Sequence, residues 1–102
     1  MSLKKQYLKS RPVCKVTFRL GKEAASEAAN VHLVGDFNNW QTSETPMKRL
    51  KNGEFTVTLD LPVNQSYQFR YLIDQNVWEN DWEADQYVPS GIAANENSVV
   101  VV

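Results

Sequence analysis

Alternation with a period of two dominates this chain and leaves little room for any fold class but all-β. Cys14, Val16, Phe18 and Leu20 are separated by Lys15, Thr17 and Arg19. Successive side chains on a strand point to opposite faces, so this run predicts a strand with one apolar and one wet face. Phe55, Val57, Leu59 and Leu61 alternate with Thr56, Thr58 and Asp60, and Tyr67, Phe69, Tyr71 and Ile73 alternate with Gln68, Arg70 and Leu72. Shorter apolar runs at 31–34 and 99–102 predict two more strands, the latter closing the fold. Asn52-Gly53 is a hairpin signal, and Pro62 with Asn64 marks a further turn. Only the alanine- and glutamate-rich stretch 23–29 leans helical, and it is too short for more than one turn within a loop. About seven short strands with frequent turns predict an antiparallel, immunoglobulin-like β-sandwich over 13–102, preceded by a basic N-terminal arm over 1–12.

At 102 residues the chain fits one domain with one core. Its net charge of −1 argues against nucleic acid, whose binders displace counterions with clustered Lys and Arg. The one basic stretch, Lys4, Lys5, Lys9, Arg11 and Lys15, reads as a solvated terminus or a partner-docking arm. A lone cysteine, Cys14, excludes an internal disulfide, and its phase with Val16 and Phe18 makes it a core thiol. Without an apolar run of signal-peptide or membrane-spanning length, the expectation is a soluble, cytoplasmic protein with no membrane partner. His32 is the single histidine, which leaves a zinc site or a Ser-His-Asp triad without support. Glycoside hydrolysis needs two carboxylates across a cleft, roughly 5–9.5 Å apart. Glu79, Asp81, Glu83 and Asp85 alternate along a predicted loop and lack EF-hand spacing. No catalysis, metal or cofactor is expected.

What stands out is aromatic residues where polar ones should be. Trp40 closes Gly35-Asp36-Phe37-Asn38-Asn39-Trp40 and sits between Asn39 and Gln41 in a polar run. Phe37, in the same turn, is expected to cap the core. Trp78 and Trp82 lie four apart among polar and acidic neighbours, and Arg70 falls on the wet face of its strand. A pyranose has a flat apolar C–H face, which an aromatic ring covers, and a rim of hydroxyls that planar Arg, Asn and Gln groups bridge. Trp82 either extends such a platform or packs beneath the loop.

At these residues the chain resembles the family 48 carbohydrate-binding modules, which include the glycogen-binding domain of the AMP-activated protein kinase β subunit. They also include the N-terminal early-set domains of isoamylases and branching enzymes. The likeness runs from about Cys14 to Val102 and rests on three motifs: Val34-Gly35-Asp36-Phe37-Asn38-Asn39-Trp40; Tyr67-Gln68-Phe69-Arg70-Tyr71-Leu72-Ile73-Asp74 followed by Trp78; and Asn97-Ser98-Val99-Val100. The resemblance implies an early-set sandwich that binds α-1,4-linked glucan without catalysis. The family's two binding tryptophans fall on Trp40 and Trp78, its basic strand residue on Arg70, and the asparagine before its last strand on Asn97. The likeness is to small stand-alone bacterial members. The alternative is a docking module for a glycogen-metabolising enzyme, its tryptophans serving as hot spots. Two departures stand out. Asp74-Gln75-Asn76-Val77 is longer than the family's hairpin and has no glycine, a change able to carry Trp78 away from Trp40. The loop 90–95 gives no clean equivalent of the leucine and threonine that the kinase-type domains place before the asparagine.

Overall fold

The computed structural model describes residues 3–25, 27–90 and 95–102. Each predicted alternating run is a strand. The first sheet contains β1 (Leu3–Tyr7), β2 (Val13–Leu20), β4 (Lys48–Arg49) and β5 (Phe55–Pro62), in the order β1-β2-β5-β4. The second contains β3 (Val31–Gly35), β6 (Ser66–Ile73), β7 (Val77–Glu79), β8 (Gln86–Pro89) and β9 (Glu96–Val101), in the order β3-β6-β9-β8, with β7 also on β6. All ladders are antiparallel. One helical turn, α1 (Lys22–Ala25), stands where the alanines lie.

The inward faces meet as the alternation requires. Cys14, Val16, Phe18 and Leu20 of β2 are buried, and opposite them lie Val31, Leu33, Phe69, Tyr71 and Val100. Phe18 meets Phe69 edge-on at 5.1 Å between ring centroids, and Phe69 meets Tyr71 likewise at 5.7 Å. Each such ring contributes roughly 1.5–3 kcal/mol by leaving water. Cys14 is fully buried among them.

Three features differ from the expectation. The described residues form nine strands rather than about seven, because β4 and β7 are only two and three residues long. Within the stretch read as a basic arm, Leu3–Tyr7 forms β1, in register with β2 from Leu3↔Phe18 to Tyr7↔Cys14. One buried side chain, Leu3, anchors it, and Lys5 reaches Asp85 at 2.6 Å beside the other sheet. β9 starts at Glu96, so Asn97 lies inside the last strand. As expected, Asn52-Gly53 closes a hairpin between β4 and β5, and the Pro62–Asn64 turn carries the chain from one sheet to the other.

β6 organises the second sheet. β3 covers one of its edges, while β9 pairs with 66–69 and β7 with 71–73 along the other. Register therefore assigns Gln68, Arg70, Leu72, Val34, His32, Trp78 and Asn97 to the outer face.

Candidate functional site

The turn after β3 is built around two side chains that act as clamps. Gly35 is extended, and its small size matters because a Cβ there would lie 2.5 Å from the Gln68 carbonyl and 2.8 Å from Phe69 Cβ. That close approach seats the turn directly on β6. Asn38 donates from Nδ2 to Leu33 O (2.9 Å) and Thr45 Oγ1 (3.0 Å), while its Oδ1 accepts from Gly35 N–H (3.1 Å). Phe37 turns inward against Phe18 and Tyr67, as expected.

Asn39 and Trp40 then take left-handed backbone angles, φ 56° and 58°. For Asn this is mild, but for a residue as bulky as Trp it costs about 1–2 kcal/mol. Two bonds hold it there. The Trp40 backbone N–H donates to Gly35 O (2.9 Å), and its indole Nε1–H donates to Asp36 Oδ1 (2.9 Å). The second Asp36 oxygen accepts the backbone N–H of Gln68 at 2.7 Å. One carboxylate thus fastens the indole and the turn to β6.

The hairpin between β6 and β7 supplies the second wall. Asp74 and Gln75 both have positive φ, 53° and 56°, without glycine. Polar clamps hold the backbone where a glycine would relax it. Asp74 Oδ1 accepts from the backbone N–H groups of Ala29 (2.8 Å) and Asn30 (3.0 Å). Gln75 Nε2 donates to Thr42 O (2.8 Å) and lies 3.1 Å from His32 Nδ1, which ties the hairpin to the loop following Trp40. His32 thus has a structural part here. Trp78, in register with Leu72, stands on the outer face and is 45% exposed.

Between these walls lies a polar floor. Arg70 Nε donates to Asn97 Oδ1 at 2.6 Å, and Asn97 Nδ2 donates to Gln68 Oε1 at 3.0 Å. The chain of bonds fixes three planar groups in a row. Trp40, Arg70, Trp78 and Asn97 line one open depression of about 510 Å³. Four expected residues, from four separate segments, come together, and the longer hairpin has not parted Trp78 from that depression. Sequence reasoning missed Gln68, Ser90 and Asn95, which share the lining. Gln68 was findable, since alternation puts it on the face of Arg70. Ser90 and Asn95 flank the loop whose family equivalents were not found, and residues 91–94 lie outside the described ones. No carboxylate lines the depression among the described residues.

Trp82 is elsewhere. It is 62% exposed and stands with Arg19, Leu20 and Tyr71 around a separate concavity. Arg70 and Tyr71 are neighbours on β6 that point to opposite sides, and each lines a different hollow. The sheet therefore separates Trp82 from the other two indoles. Asp81 forces the crossing. It is buried, accepts the Tyr71 hydroxyl on Oδ2 (2.6 Å) and Glu83 N–H on Oδ1 (2.8 Å), and its own N–H donates to Ser98 Oγ (2.8 Å). Burial, with the Asp81 charge and hydrogen bond, pushes the Tyr71 hydroxyl well above its ordinary pKa. The neighbouring carboxylates are engaged too: Glu79 accepts from Asn80 N–H, and Asp85 from Lys5 and Val101 N–H.

Two indole walls above a guanidinium and two amides suit a neutral polyol with flat apolar faces. Comparison with known sequences points the same way. The profile of carbohydrate-binding module 48 (isoamylase N-terminal domain) matches residues 14–88, a span that includes Trp40, Arg70 and Trp78. A 1,4-alpha-glucan branching enzyme GlgB from Butyrivibrio fibrisolvens is 39% identical over 64 residues, which cover 62% of this chain and 10% of that enzyme. The chain matches about a tenth of the enzyme's length.

Proposed function

The chain belongs to the carbohydrate-binding module 48 family, and from that membership and the geometry of the site we propose that it binds α-1,4-linked glucan non-catalytically, with Trp40 and Trp78 as the platform. The ligand class is glycogen, starch or their maltooligosaccharide fragments. The observation that carries the reading is the convergence of Trp40, Arg70, Trp78 and Asn97 on one depression. Indole faces cover the C–H faces of successive glucosyl units, at roughly 25 cal/mol per Å² of apolar surface removed from water. The Arg70–Asn97–Gln68 row offers donors and acceptors to the hydroxyl rim. Its internal bonds, and the Asp36 anchor on Trp40, keep the ordering cost of binding low. With an uncharged ligand, affinity depends little on salt.

Co-sedimentation with glycogen tests this. The intact chain is expected to pellet with glycogen, and Trp78→Ala is expected to stay in the supernatant while keeping its circular dichroism. A Trp78→Ala variant that pellets like the parent removes the platform from the account. Capture of a glycogen-metabolising enzyme in the absence of glucan would instead favour the docking role.

A further inference from the structure

The hollow beneath Trp82 has a makeup of its own. It holds about 230 Å³, less than half the volume of the Trp40–Trp78 depression. Trp82 is more exposed than Trp78, 62% against 45%, and its Nε1 lies 3.4 Å from Glu79 Oε1. Facing it, Arg19 and Glu54 pair at 3.5 Å, and Asn52 Nδ2 donates to the same Glu54 oxygen at 3.0 Å. The Asp81 carboxylate at the hollow's margin is held by Tyr71 and Glu83 N–H, so its position is set by the core. An exposed indole beside a paired guanidinium and carboxylate offers an apolar wall, donors and acceptors at once. Hydroxyls, which donate and accept, use both kinds of partner. A phosphate or other anion would meet Glu23, Glu54, Asp81 and Glu83 against the single Arg19.

We infer that this hollow is a second saccharide subsite that takes a single glucosyl unit of an α-glucan, on the opposite side of the second sheet from the platform. The inference rests on the proposed glucan ligand. Since β6 separates the two sites, they take separate chains or branches, and the protein is bivalent towards a branched glucan. Two modest sites then give apparent affinity for glycogen far above that for a short oligosaccharide.

The test follows the three indole N–H resonances by two-dimensional NMR during titration with maltotriose, assigned through Trp40→Phe, Trp78→Phe and Trp82→Phe. A lysine-rich peptide serves as the control. The Trp82 resonance is expected to move with maltotriose on its own saturation curve, and to do so still in Trp78→Ala. Trp82→Ala is expected to leave the Trp40 and Trp78 curves unchanged and to lower apparent affinity for glycogen by roughly 10²-fold. Movement of Trp40 and Trp78 with a fixed Trp82 overturns the second subsite and leaves the platform standing. No movement of any indole overturns the glucan reading, and the subsite with it. Movement of Trp82 with the peptide and not with maltotriose overturns the subsite in favour of protein docking.

Discussion

Trp40 and Trp78 line the same depression but are held in opposite ways. Trp40 is strained and fastened: φ 58°, backbone N–H to Gly35 O, and indole N–H to Asp36, whose other oxygen grips β6. Trp78 sits on a three-residue strand, is 45% exposed, and makes no side-chain hydrogen bond among the described residues. Its hairpin is clamped at the turn by Asp74 and Gln75, not at the ring. One ring is thus held by its own contacts, and under the proposed glucan reading the other would adjust to the ligand. Backbone strain at Trp40 fits that division, since such strain persists only where surrounding contacts over-determine it.

The strongest way to break the comparison is to unseat the fixed wall. Gly35→Ala places a Cβ against the Gln68 carbonyl, where backbone cannot yield, and is expected to destabilise the fold by about 2–3 kcal/mol in urea unfolding. Next come the rings themselves. Trp40→Ala and Trp78→Ala are each expected to weaken maltoheptaose binding by about 2 kcal/mol, roughly 30-fold by calorimetry. The two should separate with Phe: Trp78→Phe is expected to recover most of the affinity. Trp40→Phe recovers less, because it loses the indole N–H that reaches Asp36.

A finer cut is Asp36→Asn, which keeps the shape but leaves an amide to serve two donors. Its expected effects are about 1–2 kcal/mol in stability and a few-fold loss in glucan affinity, read by the same two methods. The smallest effect is on the other side of the sheet. Tyr71 has a raised pKa in the folded state, so its contribution is complete below the ordinary tyrosine pKa near 10 and is lost as pH climbs through the raised value. Unfolding free energy should fall on the alkaline side in the parent chain, and less so in Tyr71→Phe.

Much of this was legible in the sequence. The alternations of β2, β5 and β6 gave three central strands with their inward faces, because a period of two has one structural meaning. That Trp40, Arg70, Trp78 and Asn97 line one depression followed from the motifs that carry the family resemblance. β1 was hidden because a single apolar residue, Leu3, carries its burial in a run of lysines. The glycine-free hairpin was misjudged because its clamps come from residues 29, 30 and 42, remote in sequence. Trp82 could not be assigned a side, as its place depends on a buried Asp81–Tyr71 bond that no local pattern announces.

The central claim is tested most directly by tryptophan fluorescence during titration with maltoheptaose, with β-1,4-linked cellohexaose as control. A saturable change is expected with the α-linked sugar alone, greatly weakened in Trp40→Ala. No change with maltoheptaose, or an equal change with cellohexaose, would contradict it.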